Sequence, residues 1–432
     1  MYPTFADLIN DLFPGLLPNF LNGILHVVNM FGLMLALSFL AAAWVLKKEL
    51  HRFLTSGKIQ PIVRKVIIGT PMKPIDLFIN FAGGFIVGYK LGLFIIDFQQ
   101  ATANFQHLVF STKGFWLSGI LLGAGMAYWY YAEKKKTTLA EPEEKMVALT
   151  AGEMVSEIVV RAAIGGIIGA KIFHILEYWG DFTADPFGMF FSGSGLTFYG
   201  GLLLGAAAVI QWVIKHKLPF NRMADAVAPT LILAYAIGRI GCQTAGDGDW
   251  GIFNTAYITN ENYKVEAATD SSLAHTLQIH EDYFIRNFGS VYAIPQAKFK
   301  GPDFLPNWLF AYNYPNNVGS EGISMKDCNG EHCGVLPLPV FPTPFYEIVM
   351  CLSIFLVLWL IRKKLPHAGM VMAIYMILNG MERFTIELIR VNSFYHFWGI
   401  QATQAEIIAL VLIVSGAAYL VYLFKSKPAL TD

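Results

Sequence analysis

Long apolar stretches are the feature that most constrains this chain, because they recur along most of its 432 residues. A helix needs roughly 20 mostly apolar residues to cross the hydrocarbon core of a bilayer. About nine stretches approach that length; they are Ile24–Leu46, Ile75–Ile96, Phe115–Ala132, Val155–Leu176, Leu196–Ile214, Ala224–Ile240, Phe345–Ile361, Gly369–Leu388 and Gln404–Phe424. The sequence therefore predicts an all-α, polytopic transmembrane helix bundle, with a single transmembrane domain over residues 1–432.

The composition agrees with a membrane protein and argues against a nucleic-acid-binding protein. Hydrophobic residues make up 55% of the chain and charged residues 14%, whereas a soluble domain carries about 25% charged residues. The formal net charge is zero, so the chain lacks the basic surface that is typical of nucleic-acid binding. We therefore expect membrane lipids as partners and no nucleic acid.

Lysine and arginine in short loops predict the orientation, since they concentrate on the cytoplasmic side. Every second predicted loop is basic, and the residues are Lys47, Lys48, Arg52, Lys134, Lys135, Lys136, Lys215, Lys217, Arg222, Arg362, Lys363, Lys364, Lys425 and Lys427. This alternation places the N-terminus outside and the C-terminus in the cytoplasm. The long segment 252–343 then lies outside, where we expect a loop or a small subdomain. A disulfide between its Cys328 and Cys333 forms if that compartment is oxidising, and two free thiols are the alternative.

Arg239 stands near the outer end of the sixth predicted span, and charges inside membrane helices are costly and usually functional. The run that follows, up to Gly251, is rich in glycine and contains Asp247 and Asp249. Glycine lets a backbone approach a ligand closely, and a guanidinium offers a planar fork of donors that suits phosphate. The alternative is an arginine that reaches toward lipid headgroups beside a tight turn.

The eighth predicted span carries a second set of charges. Its Arg383, Glu387 and Arg390 are four and three residues apart, so they share one helical face. Such a face avoids lipid tails and points into the bundle or into a wet cavity. A purely structural network of ion pairs is the alternative. Because the sixth and eighth spans run in the same direction, Arg239 and Arg383 are both predicted near the outer leaflet, where they suit one phosphate.

Five segments occur in a fixed order, and they are Gly166–Leu176, Gly195–Gly201, Gly238–Gly251, Pro342–Glu347 and Asn379–Arg390. The third resembles the signature GRIGNFINGELWG of the bacterial phosphatidylglycerol–prolipoprotein diacylglyceryl transferases, and the fifth resembles the segment YGxxRFxxExxR of the same family. The resemblance covers residues 24–56 and roughly 140–425. Residues 57–139 have no counterpart in the family's usual seven-span form, so they are expected to be an inserted pair of spans.

The resemblance implies transfer of a diacylglyceryl group from phosphatidylglycerol to the lipobox cysteine beside the signal peptide of a prolipoprotein. It implies an active site on the periplasmic side of the bacterial inner membrane. We expect no cofactor, because the sequence contains no metal or nucleotide motif. The implied catalytic residues are Arg239 and Arg383, which would hold the phosphate, and Tyr199 and Asp247, which are candidates for taking the thiol proton. The implied substrate-binding residues are Gly238, Gly241, Asp249, Gly200, Glu387, Arg390, Glu347 and Asp225.

The chain also departs from the family pattern. Tyr199 stands where the family usually has histidine, Cys242 where it has asparagine, and Phe31 where it has tyrosine. These changes leave a related phospholipid-headgroup enzyme and a non-catalytic lipoprotein-binding paralogue as alternatives. An anion transporter is a weaker alternative, because a pore would place arginines along its length rather than at one leaflet.

Overall fold

The structure, a computed structural model, describes residues 1–96, 112–139, 141–191, 197–326, 328, 330–391, 395–397 and 400–426. It is mostly helical, which confirms the predicted class of helical membrane protein. The chain divides into two compact units. The first unit consists of Met1–Pro18, Val28–Glu49 and Phe220–Asp432, and the second unit consists of Asn19–Val27 and Leu50–Pro219.

The elements are numbered in chain order. The helices are α1 (Phe5–Leu12), α2 (Asn19–His26), α3 (Met30–Thr55), α4 (Pro74–Ile96), α5 (Trp116–Thr137), α6 (Ala151–Glu177), α7 (Trp179–Ala184), α8 (Pro186–Phe191), α9 (Phe198–Lys215), α10 (Phe220–Ala245), α11 (Asp270–Ile279), α12 (Glu281–Phe288), α13 (Thr343–Ile361), α14 (Met370–Glu387) and α15 (Gln404–Lys425). The strands are β1 (Val63–Ile68), β2 (Glu143–Ala148), β3 (Phe253–Asn254), β4 (Tyr257–Thr259), β5 (Val265–Ala267), β6 (Gln296–Ala297), β7 (Ile323–Ser324), β8 (Gly334–Val335), β9 (Tyr395–Phe397) and β10 (Ile400–Ala402).

Within the described ranges, six helices are long and apolar enough to cross a membrane, namely α3, α4, α6, α10, α13 and α15. Helix α9 is apolar but shorter. Each of the nine predicted spans corresponds to a helix, while the count of nine membrane crossings stays a prediction. Helix α14 is not among the six, because its 18 residues include three charged side chains, Glu382, Arg383 and Glu387. Leu196, the first residue of the predicted fifth span, lies outside the described residues, and so does Gly195 at the start of the segment Gly195–Gly201.

The first predicted span, Ile24–Leu46, differs from the helix observed there. Helix α2 ends at His26 and α3 begins at Met30. The side chain of Asn29 accepts a hydrogen bond from the backbone N–H of Gly32 at 3.2 Å, which is the way asparagine starts a helix. The break coincides with this cap and with a β-bridge between Asn29 and Thr4. A hydropathy pattern records neither contact.

Residues 252–341 of the first unit form what we call the polar subdomain. Its short strands pair as β3 with β6, β4 with β5, and β7 with β8. A small apolar core includes Phe253, Phe284 and Leu338. Cys328 and Cys333 form a disulfide bond, which resolves the alternative that the sequence left open. The polar subdomain thus has its own core rather than being an extended loop.

In the second unit, a two-stranded antiparallel ribbon brackets the predicted extra pair of spans. Strand β1 precedes α4 and strand β2 follows α5, and the register runs from Val63 opposite Ala148 to Ile68 opposite Glu143. Helices α4 and α5 approach closely, since a side chain at Gly88 would begin 2.4 Å from the carbonyl oxygen of Ser118. The prediction of an all-α bundle did not include this ribbon of β1 and β2.

Candidate active site

A tight turn after α10 brings an acidic side chain back to the arginine that precedes it. Gly246 and Gly248 have φ angles of +66° and +92°, a backbone region that glycine adopts without steric cost. The chain therefore reverses at once after the helix. One carboxylate oxygen of Asp249 forms an ion pair with Nη1 of Arg239. Gly246 and Gly248 therefore contribute to the site by allowing this tight turn.

Helix α13 supplies a buried carboxylate that two arginines share. The side chain of Glu347 is 0% exposed. Its Oε2 lies 3.0 Å from Nε of Arg239, and its Oε1 lies 3.5 Å from Nη1 of Arg383. The two guanidinium groups, more than 140 residues apart in sequence, are thus held side by side by one acidic group.

Helix α14, which ends at Glu387, and the segment directly after it complete the cluster. Nη2 of Arg383 lies 3.1 Å from the carboxylate of Glu387 one turn later, and Arg390 forms an ion pair with the second oxygen of Asp249. The result is a chain of charges of alternating sign, which we call the alternating network. Its members, in order of contact, are Arg390, Asp249, Arg239, Glu347, Arg383 and Glu387.

Several charged side chains of this network are largely buried, so desolvation disfavours their charged forms. The side chains of Arg239 and Arg390 are 12% and 13% exposed, whereas that of Arg383 is 25% exposed. Desolvation disfavours the charged form of Asp249, but the neighbouring Arg239 and Arg390 outweigh it and hold the pKa of this carboxyl below its usual value. Asp249 therefore stays ionised and is a weak base, since a carboxyl with a lowered pKa binds protons poorly.

Tyr235 belongs to this site, although the sequence analysis did not single it out. Its hydroxyl donates a hydrogen bond to Oε1 of Glu347 at 2.7 Å and accepts one from Nη2 of Arg239 at 3.3 Å. The available sequence signal was the spacing of four residues between Tyr235 and Arg239, which places both on one face of α10. A tyrosine in an apolar helix is so ordinary that this spacing alone did not distinguish it.

Gly251 lies where three backbone segments meet. Its N–H donates to the carbonyl of Phe341 at 2.9 Å, and it forms an isolated β-bridge with Arg390. A Cβ atom at this position would lie 2.6 Å from the carbonyl oxygen of Ile389 and 3.0 Å from that of Phe341. These neighbours are backbone atoms, so they cannot move aside as a flexible side chain would.

We expect Gly251→Ala to lower the free energy of unfolding by about 1–3 kcal/mol, the usual cost of overpacking. Displacing Ile389 would also move Arg390, so activity is expected to fall with stability. Gly238→Ala is the matched control, because a Cβ there meets nothing within 4 Å. Thermal unfolding of the two purified variants checks the prediction, and equal melting temperatures would contradict the packing role of Gly251.

Several residues implied by the resemblance lie apart from the alternating network. Asp225 is 14 residues before Arg239 (239 minus 225) on the same helix, or about 21 Å by helical rise. Its carboxylate accepts hydrogen bonds from the N–H groups of Gly369 at 2.7 Å and Met372 at 3.0 Å. Asp225 therefore caps the start of α14, and the structure does not bring it to the arginines.

Of the two glycines on α10 that the resemblance implies in substrate binding, Gly241 lies in a helix contact and Gly238 does not. A Cβ at Gly241 would lie 3.1 Å from Met34 and 3.2 Å from the ring of Phe31, so Gly241 lies in the contact between α10 and α3. Phe31, which stands where the family usually has tyrosine, is thus a packing residue beside α10. Gly238 has open space where a side chain would begin.

Tyr199 and Gly200 belong to the second unit. Tyr199 lies in the first turn of α9 and is 38% exposed. A Cβ at Gly200 would lie 2.3 Å from the carbonyl oxygen of Gly169, so Gly200 permits the close crossing of α9 and α6. This crossing agrees with the small residues of the fourth predicted span, which favour close helix contacts.

One group of side chains has the spacing of a metal site. Ligand atoms of Cys242, Asp247 and Asp249 lie within 4.8 Å of one another. Asp247 is exposed, and its carboxylate accepts a hydrogen bond from the N–H of Asp249 at 3.3 Å. Both carboxylate oxygens of Asp249 are already paired with arginines. A cation would have to compete with two guanidinium groups, so the donor set does not fit a metal.

Comparison with known proteins adds independent findings. A family model described as prolipoprotein diacylglyceryl transferase matches residues 119–422. The phosphatidylglycerol–prolipoprotein diacylglyceryl transferase of Corynebacterium glutamicum is 30% identical over 280 residues, covering 62% of this chain and 70% of that protein. Its counterpart from Treponema denticola is 24% identical over 341 residues, covering 71% of this chain and 88% of that protein.

Coverage differs among these relatives. The counterpart from Leptospira interrogans is 31% identical over 118 residues, and the match covers 22% of this chain and 37% of that protein. This chain therefore spans little more than a third of the Leptospira relative in that match. The matched region of the family model contains every member of the alternating network.

Proposed function

Because the chain belongs to the prolipoprotein diacylglyceryl transferase family, we propose that it transfers the diacylglyceryl group of phosphatidylglycerol to the lipobox cysteine of prolipoproteins. The observation that carries this proposal is the sharing of one buried carboxylate by two arginines. Glu347 contacts both Arg239 and Arg383, so their guanidinium groups meet at one place. Paired guanidinium groups suit a phosphate, which accepts several hydrogen bonds at once.

The proposed reaction is a displacement at a glycerol carbon. The cysteine sulfur attacks the carbon that carries the phosphate, a C–S bond forms, and the C–O bond to phosphate breaks. The bonding electron pair leaves on the phosphate oxygen, so negative charge grows there as glycerol phosphate departs. Donors that are already in place where charge develops lower the barrier, and they need no reorganisation during the step.

The alternating network explains how the arginines are held in place for this step. Arg239 contacts Asp249, Glu347 and Tyr235 through its three guanidinium nitrogens, so its orientation is fixed before any substrate arrives. Arg383 is the more exposed of the two. We assign Arg383 the first contact with the phosphate and Arg239 the stabilisation of the leaving group. Glu387 and Arg390 position these two arginines.

The thiol must lose its proton, since the thiolate is the nucleophile and a free cysteine has a pKa of about 8.5. Asp249 is a weak acceptor for the reason given above. Asp247 is exposed next to the network, and Tyr199 is partly exposed at the start of α9. We assign these two residues as candidate proton acceptors, with the departing phosphate as the third. In addition, Asp247 and Asp249 suit the hydroxyl groups of the glycerol headgroup.

The proposed location is the bacterial inner membrane, with the active site toward the periplasm and the prolipoprotein signal peptide as a partner. The network lies near the start of the polar subdomain. The N–H of Ile252, its first residue, donates a hydrogen bond to the carbonyl of Ile389, one residue before Arg390, at 2.9 Å. The division that we propose is one transmembrane domain, with residues 57–139 as an inserted pair of spans and residues 252–343 as a periplasmic subdomain.

A transferase assay on the purified full chain tests the proposal. Phosphatidylglycerol and a lipobox peptide are mixed with the protein, and mass spectrometry is expected to find a diacylglyceryl thioether on the peptide cysteine. The transfer rates of Asp247→Asn and Tyr199→Phe are measured as a function of pH. The rate is expected to lose its rise with pH only in the variant that lacks the proton acceptor. Lipid binding without any thioether would instead indicate a headgroup enzyme with another acceptor or a non-catalytic paralogue.

A further inference from the structure

An exposed aromatic turn lies beside the first turn of a membrane helix. We call residues 299–308 of the polar subdomain the aromatic segment. The side chain of Phe304 is 83% exposed and that of Trp308 is 43% exposed, and Phe299 and Leu305 are exposed as well. Exposed apolar side chains that lie together in a polar region usually mark an interaction surface.

The aromatic segment is tied to the end of α13. The ring of Trp308 contacts the ring of Phe345 edge-on, with centroids 5.1 Å apart. The hydroxyl of Tyr346 donates a hydrogen bond to the carbonyl of Leu309 at 2.6 Å. Phe345 and Tyr346 lie in the first turn of α13, one of the helices that are apolar enough to cross a membrane. The aromatic segment therefore lies beside the N-terminal end of α13.

Internal contacts keep the tip of this segment in place. The N–H of Gly301 donates to the hydroxyl of Tyr257 at 3.0 Å, and the N–H of Leu305 donates to the carbonyl of Pro302 at 3.0 Å. The second bond closes a turn that contains Phe304. The position of Phe304 is thus set by the fold.

The exposed apolar surface continues along the membrane helix. On α13, Val349, Leu352 and Leu356 are exposed at 49%, 40% and 55%, which is the surface that lipid tails cover in a membrane. Aromatic residues, tryptophan in particular, concentrate at the boundary between hydrocarbon and water. Continuity with α13 therefore favours lipid over a protein partner as the occupant of this surface.

We propose that the aromatic segment inserts into the headgroup layer of the membrane that α13 crosses, with Phe304 at its tip. This contact would hold the polar subdomain against the membrane surface next to the alternating network. The inference goes beyond diacylglyceryl transfer and does not depend on it.

A depth measurement tests the proposal on the full chain in lipid nanodiscs. An environment-sensitive fluorophore is attached at Phe304→Cys, with unsubstituted protein carried through the same labelling to measure background from the native cysteines. Tyr292→Cys is the matched control, because Tyr292 is an aromatic residue of the polar subdomain that is 92% exposed and lies outside the aromatic segment. Neither side chain is buried, so neither substitution is expected to impair folding.

The label at residue 304 is expected to emit at shorter wavelength than the label at residue 292. Nitroxide-labelled lipids should quench most of its emission, and soluble iodide should quench little. Strong iodide quenching at both positions would overturn the proposal. Protection at residue 304 that appears only when protein concentration rises, or only with a lipobox peptide, would also overturn it, because the occupant would then be protein.

Discussion

Replacement of Arg239 by glutamine is expected to lower the rate of diacylglyceryl transfer about 100- to 1,000-fold, the usual effect of removing one charge-stabilising donor. Glutamine keeps a polar side chain but loses the positive charge that the departing phosphate requires. The loss should appear in kcat/KM measured with phosphatidylglycerol and a lipobox peptide. Stability should also fall, because the buried Glu347 loses one of its two arginine partners.

Arg362→Gln separates these two effects. Arg362 is 10% exposed and pairs at 2.8 Å with Glu49, which is 1% exposed, so its burial resembles that of Arg239. It lies at the opposite end of α13 from Glu347. Breaking either buried pair is expected to cost about 3–5 kcal/mol. Comparable melting temperatures with activity lost only in Arg239→Gln would support the catalytic role, whereas equal loss of activity in both variants would refute it.

Glu347→Gln is expected to produce the second large effect, a fall in kcat without a rise in KM for phosphatidylglycerol. The amide cannot balance the charges of Arg239 and Arg383, so the two guanidinium groups repel and separate. Their net positive charge nevertheless attracts the anionic lipid at least as strongly as before. A loss confined to kcat identifies an interaction that matters in the transition state, and steady-state kinetics at several lipid concentrations measure it.

Glu49→Gln is the control for this second prediction. It removes the carboxylate of the other buried pair and so tests the effect of lost stability alone. Its kcat and KM should both remain near those of the unsubstituted protein once folding is verified. If Glu347→Gln instead raises KM and leaves kcat unchanged, Glu347 acts in lipid binding and not in arranging the arginines for the reaction.

Hydropathy predicted the helices well where a helix and an apolar stretch coincide. Helix α4 begins one residue before the predicted Ile75 and ends at the predicted Ile96, because an apolar run of that length has few other stable arrangements in a bilayer. The prediction was least accurate for the first span, Ile24–Leu46, because α3 begins at Met30, after the capping side chain of Asn29, and continues to Thr55. Strand β3 of the polar subdomain pairs with β6, with Phe253 opposite Gln296, and local sequence did not reveal a pairing over that separation.

Part of the candidate site was also readable from local pattern. The spacing of Arg383, Glu387 and Arg390 predicted a shared helical face, and the structure pairs the first two at 3.1 Å. The prediction was wrong for Arg390, because α14 ends at Glu387 and Arg390 lies beyond the helix in a β-bridge with Gly251. Local sequence pattern did not predict the contacts of Asp225. Its motif position suggested a substrate contact, whereas its carboxylate caps α14 through Gly369 and Met372.

The sequence by itself determined the helical membrane class, the position of both arginines near helix ends and the charged face of α14, because each follows from the period or length of one helix. Only the tertiary structure decided that Glu347 is shared by Arg239 and Arg383, that Tyr235 joins them, and that the aromatic segment lies at the end of α13. Those contacts join residues far apart in the chain. They depend on how helices pack against one another, which no local pattern specifies.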